Sequence, residues 1–493
     1  MDIGKIIDGC GVLKTEGSLV TEISAVTDDS RKAAPGTMFV AVRGFSSDGH
    51  KYIASAIEKG AAAIVYEDSG AVTPDVMRDS GVTWIQVESS RHALGIIASN
   101  FYGNPSGKLT LVGITGTNGK TTTVTLLYHL FRNLGYECGL LSTIANYVGT
   151  RCSEAVNTTS DPLTINSLLA EMADAGCEYC FMEVSSIGVE QERIAGLTFK
   201  AGIFSNLTHD HLDYHKTFAE YLRCKKLFFD GLPSDAFAIT NTDDRNGLVM
   251  VQNTKAKVVT YSCRSMADHT CRIMEESFDG MQLSIDGKEC WTSLIGQHNA
   301  YNILAIYTTA VTLGADREET LVGLSRLSSA PGRLETIRGP RDISAVIDYA
   351  HTPDAMENVL RTLREIAPER QLICLFGCGG DRDKTKRPEM AAVAQKMADR
   401  IIVTSDNSRT ERTEDIMDDI RAGMDAKGRA KSIFIADRKE AIRTALMTAQ
   451  DGATVLLAGK GHETYQIIGK EKRHFDEKEI VGEIFSEMKE NGL

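Results

Sequence analysis

Residues 109–122 read Leu109-Thr110-Leu111-Val112-Gly113-Ile114-Thr115-Gly116-Thr117-Asn118-Gly119-Lys120-Thr121-Thr122, and this stretch decides the fold class. An apolar run of strand length turns through glycines into VTLLYHLFRNLG, whose apolar spacing is that of an amphipathic helix. Glycines let backbone amides close on phosphate oxygens, and the helix N-terminus adds partial positive charge at the same point. Lys120 is placed to reach outer phosphates and the Thr121 hydroxyl to ligate Mg²⁺. The position five before Gly119 is Ile114, where the usual Walker spacing has Gly, so the reading rests on strand, GK[ST] and helix standing in register. The expectation is a nucleoside triphosphate site in an α/β domain; the alternative is a glycine-rich turn without function.

Working towards the N-terminus, short apolar runs alternate with Gly and Pro turns: SAVTDDSR, PGTMFVAVRG, a helical stretch YIASAIEKGAAAIVY and VTWIQVESS. They read as a small α/β unit that ends in the turn-rich GNPSGK. Towards the C-terminus, strands and helices alternate as far as NAYNILAIYTTAVTLG, and SSAPGRLE makes the next break. A third alternation follows: ISAVID, a helix from Pro353, LICLFG, a helix through MAAVAQKMA, RIIVTS, a helix, SIFIA, a helix and TVLLAG. That pattern predicts a parallel, doubly wound sheet with ligand loops at the strand carboxyl ends. The expected organisation is α/β in three domains, 1–105, 106–330 and 331–493, the central one with a mostly parallel sheet and the last Rossmann-like.

The chain has 493 residues, 42% hydrophobic and 25% charged, which suits a folded soluble protein and argues against wholesale disorder. Lys and Arg number 54 against 67 Asp and Glu, a net charge of −13, the wrong sign for coating nucleic acid. MDIGKIIDGCGVLK lacks the pattern of a signal peptide, and no run reaches the roughly 18 apolar residues of a spanning helix. The expectation is a cytoplasmic protein with no membrane insertion and no nucleic-acid partner. Eleven cysteines, an odd number set mostly in apolar runs, read as reduced thiols, and the lone pair Cys177 and Cys180 as core packing rather than a zinc or redox motif.

A second group of hard ligands lies downstream. YCFMEVSS ends a strand at Glu183, and after AGIFSN come Asn206-Leu207-Thr208-His209-Asp210-His211-Leu212-Asp213-Tyr214-His215. A carboxylate at one strand end and imidazoles at the next share a sheet edge with the phosphate loop, which suits metal–phosphate chemistry. Zinc and a solvated polar loop are the other readings; no cysteines accompany the histidines. The amphipathic Tyr221-Leu222-Arg223-Cys224-Lys225-Lys226-Leu227-Phe228-Phe229 then carries two adjacent lysines, a pattern that alone reads as solvated surface.

Taken in order, TGTNGKTTT, EVSS, SNLTHDHLDYH, the Lys225 helix, GQHNAYN, PGRLE, DYAHTPDA, FGCGGDRDKTKRP and AGKGHE resemble the Mur ligases, from about residue 27 to 466. The resemblance is closest to the branch that adds the third residue of the peptidoglycan stem peptide, and so implies a part in cell-wall biogenesis, cell shape and cell division. It implies an ATP-dependent, ADP-forming ligase that joins the D-glutamate side chain of UDP-N-acetylmuramoyl-L-alanyl-D-glutamate to a diamino acid. It also implies that residues 1–105 bind the UDP-sugar, 106–330 bind ATP and 331–493 bind the amino acid, in a monomer. A carboxylate resists an amine until phosphoryl transfer makes an acyl phosphate, so the chemistry requires charge neutralisation at both steps.

Carried over residue by residue, the resemblance implies ATP contacts from Gly116, Thr117, Asn118, Gly119, Lys120, Thr121 and Thr122, with Asn299 and Asn302 near adenine. Arg333 would stand near phosphates or ribose, and Asp348 in a domain that closes over the nucleotide. Catalysis would fall to Lys120, Glu183, His211 and Lys225, with Mg²⁺ on Thr121, Glu183 and His211. Aligning the family's A-K-x-x-L-F pattern selects Lys225 as a lysine carbamylated by CO₂ that helps hold a second Mg²⁺, with Cys224 standing for Ala. Carbamylation needs a neutral amine, hence a lowered pKa. The UDP-muramoyl dipeptide would meet Ser30, Asn157, Thr158, Thr159, Ser185, Gln191 and Arg193. The diamino acid would meet Arg387, Asp406, Asn407, Arg409, Gly459 and Glu463.

Asp406-Asn407-Ser408-Arg409 resembles the D-N-P-R of members that use meso-diaminopimelate, with Ser408 replacing Pro. Diaminopimelate carries a second carboxylate that an Arg fork binds bidentately, whereas lysine leaves that Arg unpaired. The expected acceptor is therefore meso-diaminopimelate, with L-lysine as the alternative. Other rivals are a folylpolyglutamate synthetase, against which DDSR and NTTSDP match the muramoyl branch, a P-loop GTPase switch, and a non-catalytic nucleotide-binding regulator, which would have lost groups such as Lys120 and Lys225.

Overall fold

The structure, a computed structural model, describes residues 1–44, 47–72, 77, 81–208 and 212–492. Among these residues the strands form three large sheets and one hairpin. The first sheet runs Val12–Glu16, Thr83–Val87, Ala63–Tyr66, Thr37–Val40, Ala25–Thr27, antiparallel only at its first pair. The stretch expected as one helix, YIASAIEKGAAAIVY, divides: the helix is Ile53–Glu58 and Ala63–Tyr66 is a central strand. Gly60 takes a left-handed φ of 94° and ends the helix, and the following Ile and Val gain more from a sheet interior than from a helix face.

The eleven-stranded central sheet has a parallel block: Cys138–Leu141, Tyr179–Glu183, Thr110–Thr115, Ala201–Phe204, Phe237–Asn241, Lys257–Ser262 and His269–Ser277. Antiparallel strands extend both edges: Ala145–Val148 and Arg151–Glu154 on one side, Gly280–Ile285 and Lys288–Thr292 on the other. Alternation along Thr110–Thr115 explains its burial on both faces. Val112 and Ile114 pack with Val124, Leu127 and Phe131 of Lys120–Asn133 and Ile303 and Ile306 of Gln297–Thr312, whereas Leu111 joins the cluster of Leu169, Tyr221 and Phe229.

The third sheet runs Glu335–Arg338, Ser344–Asp348, Thr454–Ala458, Leu372–Phe376, Arg400–Val403, Ser432–Phe434, with only the first pair antiparallel. The doubly wound α/β expectation holds here. A hairpin, Tyr465–Ile468 with Glu471–His474, and a helix, Glu477–Glu490, extend it beyond the alternation read from the sequence. No helix among the described residues is long and apolar enough to cross a membrane.

Candidate active site

The parallel strands Thr110–Thr115, Tyr179–Glu183 and Ala201–Phe204 end at one edge of the central sheet, which brings the phosphate loop, Glu183 and Ser205-Asn206 together. The loop is tied down by its neighbour strand's exit. Thr117 N donates to Asn206 O at 2.9 Å, Asn118 N to Asn206 Oδ1 at 2.9 Å, and Ser205 Oγ to Asn118 O at 2.7 Å. Gly119 starts Lys120–Asn133 with a left-handed φ of 86°. Thr121 and Thr122 are buried at that helix start. Asn299 and Asn302 lie behind it on Gln297–Thr312, where Asn302 Nδ2 donates to Asn299 Oδ1 at 3.0 Å.

Two ammonium groups converge on one backbone oxygen. Lys120 Nζ donates to Gly116 O and Thr117 O at 2.9 Å each, and Lys225 Nζ donates to Gly116 O at 2.8 Å. Lys225 is only 1% exposed, inside the helix Phe218–Asp230 with its Nζ 4.7 Å from the Tyr221 ring centroid, so it is the inward lysine of its pair. Lys226 instead pairs with Asp230 at 2.6 Å. A loop with a buried and a half-buried lysine and a helix N-terminus at its mouth is prepared for polyanionic phosphate.

Glu183 is wholly buried; Oε1 accepts from Thr143 N at 2.8 Å, and Oε2 is buried with no hydrogen-bond partner among the described residues. A buried carboxylate oxygen without a partner among the described residues, at the sheet edge that carries the phosphate loop, suits a hard divalent cation, so Glu183 fits Mg²⁺. His209, Asp210 and His211 lie outside the described residues, and His211 with them. His215 is buried with Nε2 2.8 Å from Ser186 Oγ.

The expected dipeptide residues gather in two places. Thr159, Ser185, Gln191 and Arg193 form one network beyond Glu183: Ser185 N donates to Thr159 Oγ1 at 2.9 Å, and Arg193 donates to Thr159 O at 2.6 Å and to Gln191 Oε1 at 2.7 Å. Thr158 Oγ1 accepts from Thr143 Oγ1 at 3.0 Å, and Asn157 is exposed next to it. Ser30 is buried in the first domain. Burial raises the neighbouring Asp28 carboxyl, and the charge of Asp161 of NTTSDP adds to the shift.

In the third sheet, Asp348 is buried at a strand end, accepting from Leu334 N and Ala350 N at 2.8 Å each. Burial raises its carboxyl, opposed by the charge of Arg333. Arg333 lies 4.8 Å over the Tyr349 ring, and His462 packs on the same ring while burial holds its imidazole down at about 4. The loops after Arg400–Val403 and Thr454–Ala458 meet: Asn407 Nδ2 donates to Glu463 Oε2 at 2.8 Å, and Gly459 leads from the second strand towards Asp406. Arg409 has a left-handed φ of 51° and donates to Gly380 O at 3.0 Å; no carboxylate lies within ion-pair distance of it among the described residues. Ser408 is buried and its carbonyl accepts from Glu411 N at 3.1 Å, which anchors the loop without the expected Pro.

Arg387 is different: wholly buried, it bonds Glu411, Asp419 and Gly379 O, so its side chain ties loops together. Sequence reading singled out neither Lys460 nor the Arg438–Glu477 pair. Lys460 Nζ, with no exposure, reaches Glu463, Asn407 and Asp406 at 3.2, 3.3 and 3.5 Å. Arg438 bonds Glu477 at 2.8 Å and the carbonyls of Ser405 and Ala458 at 2.9 Å each, clamping the strand ends from which both loops start. AGKGHE carried a signal for Lys460; Arg438, one cation in a surface-like helix sequence, carried none.

Comparison with known proteins gives three consecutive family matches: "Mur ligase family, catalytic domain" over residues 22–102, "Mur ligase middle domain" over 114–310 and "Mur ligase, glutamate ligase domain" over 332–461. A protein of Cytophaga hutchinsonii named UDP-N-acetylmuramoyl-L-alanyl-D-glutamate--2,6-diaminopimelate ligase is 49% identical, covering 99% of this chain and 100% of its own. One of the same name from Phocaeicola vulgatus is 51% identical with the same coverage. A solved structure titled as that ligase matches with a TM-score of 0.69 at 30% identity, over 99% of both chains.

Proposed function

The chain belongs to the Mur ligase family, and from that premise we propose that it is an ATP-dependent, ADP-forming ligase joining meso-diaminopimelate to the D-glutamate of UDP-N-acetylmuramoyl-L-alanyl-D-glutamate. The observation that carries the reading is the convergence of Lys120 and Lys225 on Gly116 O, beside a buried carboxylate with an open oxygen.

ATP lies with its phosphates on residues 116–122, Asn299 and Asn302 towards the adenine, and Arg333 and Asp348 approaching from the third domain on closure. Lys120 and the helix N-terminus hold the phosphoryl group in line with the D-glutamate carboxylate, which takes it to become an acyl phosphate. The amine of the diamino acid then attacks the acyl carbon, and phosphate leaves. Thr121, Glu183 and His211 would hold one Mg²⁺, and a carbamate on Lys225 would help hold a second. When bound, these ions neutralise the negative charge that both steps gather. The carbamate converts one of two converging cations into a ligand of the opposite sign.

Ser30, Asn157, Thr158, Thr159, Ser185, Gln191 and Arg193 take the UDP-muramoyl dipeptide. Arg387, Asp406, Asn407, Arg409, Gly459 and Glu463 form the acceptor site, in which the unpaired Arg409 fork receives the distal carboxylate and Arg387 supports the loop. The reading assigns these tasks to domains 1–105, 106–330 and 331–493 of a cytoplasmic monomer. The test incubates pure protein with Mg-ATP, the UDP-muramoyl dipeptide and either meso-diaminopimelate or L-lysine, following product mass and phosphate release. Product with diaminopimelate alone is expected; product mainly with lysine overturns the specificity, and none with either overturns the reaction.

A further inference from the structure

Lys460 is a buried cation in the middle of the acceptor site. Its side chain has no exposure, whereas those of Asp406 and Glu463 keep 11% and 13%. The ammonium group contacts one oxygen of each carboxylate, Asp406 Oδ1 at 3.5 Å and Glu463 Oε2 at 3.2 Å, together with Asn407 Oδ1 at 3.3 Å. The amide of Asn407 is fixed from both ends. Its Oδ1 also accepts from Ile467 N at 2.9 Å, and its Nδ2 donates to Glu463 Oε2 at 2.8 Å. Asp406 Oδ2 and Glu463 Oε1 take no hydrogen bond among the described residues.

Two carboxylates this close repel unless a cation stands between them, and a buried one without a partner is costly. With Lys460 in place the trio carries one net negative charge and two carboxylate oxygens without a hydrogen bond among the described residues. A single incoming ammonium group satisfies both. We propose that Lys460 is a specificity-determining positioning residue: it sets Asp406 and Glu463 to receive one ammonium group of a zwitterionic amino-acid substrate and limits the pull on substrates with excess positive charge. The inference rests on the reading that these loops bind the diamino acid.

The test is Lys460→Met, which keeps length and removes charge, compared with wild type for KM of each substrate and kcat. The diaminopimelate KM is expected to rise about tenfold or more while KM for ATP and for the UDP-dipeptide stays within about twofold. The preference for diaminopimelate over L-lysine in kcat/KM is expected to fall about tenfold, because the site then favours the more cationic substrate. In a Lys460→Ala variant, whose truncated side chain leaves room, methylammonium in the assay is expected to restore part of the loss, which a purely structural role would not allow. A folded Lys460→Met variant with unchanged diaminopimelate KM and lysine preference overturns the proposal. Should that variant not fold, Lys460→Arg keeps the charge and changes its shape; an unchanged diaminopimelate KM there overturns it equally. Absence of product from the wild type with any amino acid refutes the functional reading instead.

Discussion

At the scale of single residues, the site depends on where side chains sit in a gradient of burial. Lys225 and Lys226 are adjacent in sequence, yet one reaches the phosphate loop and the other an aspartate of its own helix. Lys225→Ala is therefore expected to abolish amino-acid-dependent phosphate release, whereas Lys226→Ala retains turnover within about threefold; parallel assays at equal fold content check this. Glu411 offers a pH test. The Arg387 guanidinium bonded to it holds its carboxyl at about 2, against an ordinary value of 4.5. A lowered pKa stabilises the fold fully above the ordinary value and loses that contribution as pH falls from about 4.5 through about 2. Thermal melts should show Glu411→Gln less stable than wild type at pH 7, with the gap closing as pH drops through that window.

At the scale of elements, the phosphate loop is a junction that only one backbone geometry closes. Gly119 begins the helix Lys120–Asn133 at positive φ, and a Cβ there would lie 2.5 Å from Asn302 Oδ1. Gly119→Ala is expected to cost about 1–2 kcal/mol from the left-handed backbone alone and to raise the ATP KM about tenfold or more. Denaturant melts and ATP titrations read the two effects separately. The helix misread in the first domain shows the same rule: composition favoured helix through AAAIVY, but Gly60 stopped it and sheet neighbours on both sides claimed the segment. Propensity lost to tertiary packing there.

At the scale of the molecule, the proposed reaction requires three sheets to deliver their strand ends to common ligands. The third domain meets the central one at several places: Ile295 and Phe278 pack against its core, Arg338 pairs with Asp279 at 2.5 Å, and at its hairpin Lys472 makes an exposed pair with Glu154 at 3.4 Å. Inside the third domain, the Arg438–Glu477 pair has no exposure. Arg438→Met strands a buried carboxylate and is expected to destabilise that domain by about 3–5 kcal/mol. Urea unfolding should then show an early transition for the third domain with the central one unchanged, and Glu477→Leu added to it should recover most of the loss.

The sequence by itself determined the α/β class and pointed to the phosphate loop and Glu183, because glycine turns, apolar periodicity and local ligand spacing are written within a few residues, whereas the loops of residues 406–409 and 459–463 stood out only through the resemblance to the Mur ligases. Tertiary structure decided what long-range contact decides. It turned Lys225 inward, closed Arg387 on Glu411 and Asp419 while leaving Arg409 open, and set Lys460 between two carboxylates contributed by separate loops. Burial and pairing are properties of neighbours brought together across sheets, and no spacing along the chain encodes them.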